Sequence, residues 1–407
     1  MSWERKQLED VADFTLGKML DQKKNKGEPL PYLANVNVRW GSFDLDDLRQ
    51  MRFEAHEAER FGLKCGDIVM CEGGEPGRCA IWKDYIPRMM IQKALHRIRS
   101  HDGIDNRFLF YTFLHKGKTG GFSPLFTGST IKHLPREKLA KVEVDIPPLL
   151  TQQRIASILS AYDDLIENNR RRIHLLEQAA RLLYKEWFVH LRFPGHEHVK
   201  FKEGVPEGWA RKRIGEIADV IRGKSYQSSE LREAGGKAFV TLKCIKRFGG
   251  FRTSGLKRFE GDHKEHHQVV AGDIVMAVTD MTREAMIVAQ AGLIPKSVTG
   301  EAIFSMDLVK IVPKGDIQKH WLYLLLRHSG FSFDVREHAT GTNVLHLKPK
   351  YIESWEASLP PKSLRDHYSD ILGPMIKQQD QLELQIQALT KARDLLLPRL
   401  MNGEVVV

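Results

Sequence analysis

The sequence lacks long apolar runs, has few cysteines, and carries none of the compact motifs that mark common nucleotide-using, methyl-transferring or hydrolytic enzymes. No stretch approaches the roughly 18 apolar residues that a bilayer-spanning helix requires, so a membrane helix is excluded. The opening Met1-Ser2-Trp3-Glu4-Arg5-Lys6 is charged where a signal peptide would carry an apolar core, so no secretory leader is expected. Cysteine is limited to Cys65, Cys71, Cys79 and Cys244, without the paired spacing of a zinc ribbon. Reduced thiols in a cytoplasmic protein are expected.

Catalytic signatures are also missing. A methyltransferase acting on DNA bases needs a glycine-rich cofactor loop and an Asp/Asn-Pro-Pro-aromatic motif. The two Pro-Pro pairs stand in Asp145-Ile146-Pro147-Pro148-Leu149 and Ser358-Leu359-Pro360-Pro361-Lys362, and neither fits. No Gly-x-Gly-x-x-Gly follows a strand pattern, and Gly223-Lys224-Ser225 has Ala218 where a phosphate-binding loop needs glycine. No Ser/His/Asp set sits on a recognisable elbow. His263, His266 and His267, like His196 and His198, lie in polar stretches without cysteine or carboxylate spacing, and read as surface histidines. No catalytic residue and no metal ligand is assigned.

What the chain does contain is the same text twice. Trp3, Leu8, Val11-Ala12-Asp13 and Gly17-Lys18 return as Trp209, Ile214, Ile217-Ala218-Asp219 and Gly223-Lys224. Gly66-Asp67-Ile68-Val69-Met70 returns as Gly272-Asp273-Ile274-Val275-Met276. Thr127-Gly128-Ser129 with Ile131, His133 and Leu134 returns as Thr340-Gly341-Thr342 with Val344, His346 and Leu347. Ile146-Pro147-Pro148 returns as Leu359-Pro360-Pro361. This period far exceeds the roughly 20–50 residues of a solenoid unit, so it means two copies of one domain. A 42% hydrophobic share over 407 residues suffices for each copy to bury its own core. The offset is 206 residues up to Met70/Met276 and 213 from Phe108/Trp321 onward, which puts a net insertion in the second copy between Met276 and Trp321.

The shared positions are apolar or turn residues that hold a core. Between them, Gln22-Lys23-Lys24-Asn25-Lys26 is unlike Ser228-Ser229-Glu230-Leu231-Arg232, and Glu72-Gly73-Gly74-Glu75 is unlike Val278-Thr279-Asp280-Met281. A common scaffold with different loops suggests one task performed on two targets. Short strands are expected at 239–242, 273–276 and 308–312, and short helices at 107–115 and 320–328, giving α+β domains.

The segments after each Pro-Pro are helical. Ile155, Leu159, Tyr162, Ile166, Asn169, Ile173, Leu176, Ala180, Leu183 and Trp187 follow steps of four and three, a heptad seam. The second seam is Tyr368, Leu372, Met375, Gln379, Leu382, Ile386, Leu389, Arg393, Leu396 and Leu400. Thr151 reads as the first N-cap, Ser363 with Asp366 as a capping box, Pro194-Gly195 as a stop beyond the first helix and Pro398 as the end of the second. The first helix should run roughly 35–40 residues, or some 55 Å. Connectivity then predicts an antiparallel coiled coil with a similar domain at each end, related by an approximate two-fold axis, with Asn169, Gln379 and Arg393 fixing register.

The stretch Gln152-Gln153-Arg154-Ile155, Leu159-Ser160-Ala161-Tyr162-Asp163-Asp164-Leu165-Ile166, Asn168-Asn169-Arg170-Arg171-Arg172-Ile173 and Leu182-Leu183-Tyr184-Lys185-Glu186-Trp187-Phe188, together with Gly208-Trp209 and Ile214-Gly215-Glu216-Ile217-Ala218, resembles the specificity subunits of Type I restriction–modification systems over the whole chain. The resemblance implies target-recognition domains at 1–148 and 208–361, spacer helices at 149–192 and 362–402, and a linker at 193–207. It implies that each domain reads half of a bipartite, asymmetric DNA site. The helices would set the spacer and dock two modification (methyltransferase) subunits, which restriction/motor subunits join. S-adenosylmethionine, ATP and magnesium would be used by those partners and no cofactor by this chain.

The formal charge of +10 and pI near 9.3 favour a polyanionic partner. Equivalent loops are the candidates for DNA contact: Lys18, Lys23, Lys24 and Lys26 against Lys224, Tyr226 and Gln227. Gly128, Ser129, Thr130 and Lys132 stand against Gly341, Thr342, Asn343 and His346, with Lys243, Lys246 and Arg247 beyond. Lysines would neutralise phosphates, and Asn343 or Gln227 could offer an amide fork to adenine. The competing readings are a self-contained nuclease or methyltransferase, and a coiled-coil scaffold that binds DNA without sequence preference.

Overall fold

The repeated sequence folds into repeated topology. The computed structural model describes residues 3–21, 25–45, 48–202, 204–282 and 284–407. It divides into one unit of Met1–Glu167 with Gln387–Val407 and another of Asn168–Ile386. In the first unit, strands Ala12–Leu16, Leu95–Ser100, Ile68–Cys71 and Cys79–Ile81 form an antiparallel sheet in that order. In the second, Ala218–Arg222, Leu308–Pro313, Ile274–Ala277 and Ala291–Leu293 do the same. The inner strands Ile68–Cys71 and Ile274–Ala277 are buried on both faces, which is why they read as unbroken apolar runs.

A second sheet mixes directions identically in each unit. Glu28–Leu33 pairs antiparallel with Arg49–Phe53 and parallel with Met90–Ile91. Lys237–Val240 pairs antiparallel with Lys257–Phe259 and parallel with Ala302–Phe304. The second unit extends this sheet with edge strands Leu231–Arg232 and Gln268–Val269. Each N-terminal strand closes on the strand before its Pro-Pro pair: Glu4–Gln7 on Glu143–Ile146, and Ala210–Arg213 on Glu356–Leu359.

The insertion is now located. In the first unit, residues 71–78 join the paired Met70 and Cys79. In the second, residues 277–290 join Met276 and Ala291, a hairpin connection six residues longer. The remaining residue of the insertion falls before Gln92 and Ser305, since Lys18 bridges to Gln92 and Lys224 to Ser305.

Each unit holds part of both long helices, Leu149–Tyr184 and Lys362–Met401. A π-helical turn, Lys185–Val189, prolongs the first. Residues 193–207 are more than a bare linker: Phe201–Lys202 pairs with Val205–Pro206, and Phe193 packs on Trp209 with ring centroids 5.6 Å apart. In the first unit, Ile155, Ala156 and Leu159 share a core with Leu397, Leu400 and Met401, and Arg393 pairs with Asp163. In the second, Asn169 Nδ2 donates to Gln385 Oε1 at 3.2 Å, and Tyr368 Oη donates to the Ala180 carbonyl at 3.3 Å. Partner numbers fall as residue numbers rise, so the helices run antiparallel. Ile155, Leu159, Tyr162, Ile166, Asn169, Ile173, Leu176, Leu183, Tyr368, Leu372, Met375, Gln379, Leu382, Ile386, Leu389 and Leu396 are all at least half-covered, whereas Leu165, Leu175, Leu182 and Leu395 lie off the seam and are exposed.

The helix ends differ from expectation. Pro148, not Thr151, begins the first helix: its carbonyl accepts from the Thr151 and Gln152 amides, leaving Thr151 inside the first turn. Pro361 does the same for Leu364 and Arg365, so Ser363 and Asp366 are not a capping box, and Asp366 instead receives Lys362 and Gln318. Pro398 does not stop the second helix, which runs on to Met401. A helical proline forfeits one backbone hydrogen bond, and here Leu397, Leu400 and Met401, buried in the first unit's core, hold the last turn. Asn169 meets Gln385, a residue off the expected seam.

Asp163 also accepts from Tyr111 Oη at 2.7 Å, so the Arg393 pair ties helix to domain inside one unit. Arg393→Met leaves that sheltered carboxylate without its counter-charge and should lower stability by about 3 kcal/mol in urea unfolding. Leu395→Ala, at an exposed site, should change stability by under about 0.5 kcal/mol.

Candidate nucleic-acid interface

In each unit one edge gathers four segments that are far apart in sequence. In the first unit a relay of backbone hydrogen bonds stitches them together, with His96 Nε2 adding a bond to the Leu134 carbonyl at 2.9 Å. The Lys18 amide donates to the Ile91 carbonyl at 3.0 Å, and the Lys93 amide returns to the Lys18 carbonyl at 2.9 Å. The Glu72 amide donates to Ala94 at 2.8 Å, and the Leu134 amide donates to Glu72 at 2.7 Å. Thr127 and His133 exchange two bonds of 2.9 Å and close a hairpin over residues 128–132.

The second unit repeats the pattern. Lys224 donates to Phe304 at 2.8 Å, Met306 to Lys224 at 2.8 Å, Val278 to Asp307 at 2.8 Å and Leu347 to Val278 at 2.8 Å. Thr340 and His346 close the matching hairpin with bonds of 3.0 and 2.8 Å. Two glycine pairs make this possible. A Cβ on Gly17 or Gly223 would sit 2.4 Å from the Gln92 carbonyl oxygen or 2.1 Å from that of Ser305. Gly128 and Gly341 have positive φ, and a Cβ there would meet the Ile131 oxygen at 2.2 Å or the Val344 oxygen at 1.9 Å. The shared glycines of the Gly-Lys and Thr-Gly pairs are therefore requirements of the backbone.

The candidate residues fall into distinct groups on this frame. Gly128, Ser129, Thr130 and Lys132 are exposed on one hairpin, and Gly341, Thr342, Asn343 and His346 on its counterpart. Lys26 and Gln227 are exposed; Lys23 and Lys24 lie outside the described residues. Lys18 is differently placed. Its side chain is 5% exposed, and Nζ donates to Glu57 Oε2 at 2.5 Å and to the Arg52 carbonyl at 2.9 Å. Burial pushes the Glu57 carboxyl up, but the bonds from Lys18 and from the Glu54 amide outweigh it and hold the group below its usual range. Lys18 fastens the sheet and presents no ammonium to solvent. Lys224 is half-buried with Nζ 3.8 Å from Glu230, and Tyr226 packs edge-on against Phe239 at 4.8 Å. Lys243, Lys246 and Arg247 are exposed on a separate turn, tied by the Gly250 amide to Ala291.

Among the described residues, Glu54, His56 and Glu57 are the one set that brings potential metal-ligand atoms within 4.8 Å of one another, and Glu57 is already committed to Lys18. His263 is likewise engaged, Nδ1 with the Gly261 carbonyl at 3.1 Å and Nε2 with Lys237 at 3.3 Å.

Two features of this edge were not assigned from sequence. Lys93 and Met306 occupy equivalent exposed turns in the middle of the relay. Their surroundings are dissimilar, so only alignment at the second offset of 213 could have paired them. The long hairpin of the second unit is ordered by Asp280, whose carboxylate accepts from the Thr282 amide and hydroxyl at 2.8 and 2.7 Å and from the Ile287 and Val288 amides at 2.6 and 3.0 Å. Burial pushes Asp280 up, yet these donors together keep it below its usual carboxylate range.

Residues 1–178 and 206–391 match the family model described as the Type I restriction modification DNA specificity domain. The Type I restriction enzyme MjaIX specificity subunit of Methanocaldococcus jannaschii is 24% identical over 427 residues, covering 100% of this chain and 94% of that protein. The HindI specificity subunit of Haemophilus influenzae is 21% identical over 364 residues, covering 73% of this chain and 77% of that one. The solved S subunit of a Type I restriction–modification system from M. genitalium shares the fold at a TM-score of 0.54 and 17% identity, covering 98% of this chain and 96% of that one.

The contrast between Lys18 and its exposed neighbours is measurable without ligand. Lys18→Ala should lower stability by about 2 kcal/mol in chemical unfolding, because Glu57 loses its counter-charge in a covered site. Lys26→Ala and Lys132→Ala should each stay within about 0.5 kcal/mol of the parent.

Proposed function

The chain belongs to the Type I restriction modification DNA specificity family, and on that premise we propose that its two units each read one half of a bipartite, asymmetric DNA site. The observation that carries this reading is the stitched edge. Both units build the same backbone relay, yet several exposed side chains mounted on it differ: Thr130 against Asn343, Lys132 against Leu345, and Lys93 against Met306. Ser129-Thr130-Ile131-Lys132 stands on one hairpin where Thr342-Asn343-Val344-Leu345 stands on the other. An identical frame with unlike side chains is what two different sequence words require.

The roles then divide by chemistry. Exposed Lys26, Lys93 and Lys132 neutralise phosphates and set register without reading sequence. The Asn343 amide can donate to and accept from an adenine edge at once, which fixes both base and orientation. The long helices set the unspecified spacer and dock two methyltransferase subunits, and restriction/motor subunits join through that complex. Methyl transfer and cleavage, with their S-adenosylmethionine, ATP and magnesium, belong to those partners. The work is done in the cytoplasm, where the chromosome lies; no helix among the described residues is long and apolar enough to cross a membrane.

The experiment is competition binding by the chain assembled with its methyltransferase subunits. Specific DNA should bind roughly a thousandfold or more tighter than nonspecific DNA. Asn343→Ala should relax preference in one half-site alone. Lys26→Ala and Lys132→Ala should weaken binding to all sequences and each reduce the slope of log affinity against log salt by about one. Salt-sensitive binding with no sequence preference would overturn the proposal.

A further inference from the structure

The second unit's edge holds two methionines that packing does not account for. Met281 is 74% exposed and Met306 is 51% exposed, although both stand in well-tied segments. Met281 directly follows Asp280, which is 0% exposed and saturated by the Thr282, Ile287 and Val288 donors. Thr279 and Asp280 also pair as a strand with Leu345 and His346, so this hairpin is fused to the one bearing Asn343. Met306 begins a turn on the same edge: Val278 donates to the Asp307 carbonyl, and Thr279 Oγ1 donates to Asp307 Oδ1 at 3.0 Å.

The first unit makes the matching contact between connection and hairpin through a single Gly73–His133 bridge, but without the methionines or a counterpart of Asp280. Its shorter connection carries Gly73 and Gly74, and Lys93 stands where Met306 stands. An exposed methionine beside the anchored Asp280 contributes nothing to the packing of the free chain. Methionine has no strong donor or acceptor, so it cannot read a base by hydrogen bonding. The one apolar group on a base edge in the major groove is the C5 methyl of thymine.

We propose that Met281 and Met306 are specificity-determining residues of the second unit, contacting thymine methyl groups in its half-site, and that Asp280 positions Met281. This rests on the DNA-reading function above. The long hairpin is then a reading device added to one copy; the exposed apolar groups of the first unit's edge, Met19 and Ile131, stand on segments that both copies share.

The test uses the chain assembled with its methyltransferase subunits. The methylated motif is identified by sequencing, and duplexes carrying it are prepared with each thymine replaced in turn by deoxyuridine, which lacks only the methyl group. At one or more positions in a single half-site, methylation by the parent complex should fall about tenfold. The variant Met281→Ala/Met306→Ala should methylate thymine and deoxyuridine duplexes alike at those positions and keep its preference in the other half. Asp280→Asn should show the same loss for Met281-dependent positions. Deoxyuridine equivalent to thymine throughout, or a double variant that retains the parent's sensitivity, would overturn the inference. The variant truncates exposed side chains, and the deoxyuridine series needs no variant at all. A parent complex that methylates no defined bipartite motif would instead remove the DNA-reading function itself, and this inference with it.

Discussion

The constraint on which the candidate interface depends is that backbone polar groups crowded at one edge must find partners there. Glu72 sits at the centre of the first relay, its amide given to Ala94 and its carbonyl taken by Leu134, and Val278 holds the same post between Asp307 and Leu347. Because main-chain groups make these bonds, they do not care which side chain stands at the position. Glutamate and valine serve equally. The loops are thereby ordered before any ligand arrives, which spares part of the entropic cost of binding.

The same separation of frame from content recurs where each long helix begins. Gln152 is buried, accepts from the Asp105 amide at 2.9 Å and donates to the Pro147 and Gly103 carbonyls at 2.9 and 3.3 Å. Its counterpart Arg365 is buried and donates to the Pro360 carbonyl at 3.1 Å, the Asp316 carbonyl at 2.9 Å and Gln318 Oε1 at 2.7 Å. An amide and a guanidinium satisfy matching groups, so the first helical turn is fastened to its domain in both units by unlike chemistry. Farther along, the apolar seam does the remaining work, with Tyr184, Trp187 and Tyr368 clustered in the second unit and Leu159, Leu397 and Leu400 in the first.

Much of this was legible in the sequence. The two offsets, 206 and 213, hold for the central strands of the four-stranded sheets, because core residues such as Ile68 and Ile274 cannot drift without leaving the interior. The seam was legible because heptad spacing is a direct consequence of helical geometry. Partner choice was not. Gln385 meets Asn169 because antiparallel register is set by bulky groups such as Tyr368 on Ala180, which periodicity does not encode. The recurrence of Lys18 as Lys224 points to a phosphate contact. Recurrence marked scaffold instead, and the decisive partner, Glu57, lies 39 residues away with no local signal. Thr151 and Ser363 do not cap, because the helices already begin at Pro148 and Pro361, whose carbonyls accept the first helical bonds and place both residues inside the first turn. The long hairpin was bracketed but not placed, because an insertion leaves its trace in length while its order comes from the buried Asp280.

The central claim is that side chains on a shared backbone relay determine which DNA word each unit reads. It is tested most directly by replacing residues 209–361 with residues 3–148, so that both positions carry the first unit's loops, and sequencing the DNA methylated by the complex. The account predicts a motif built from one half-site used twice, with the second original word absent. Persistence of the original asymmetric motif would contradict it.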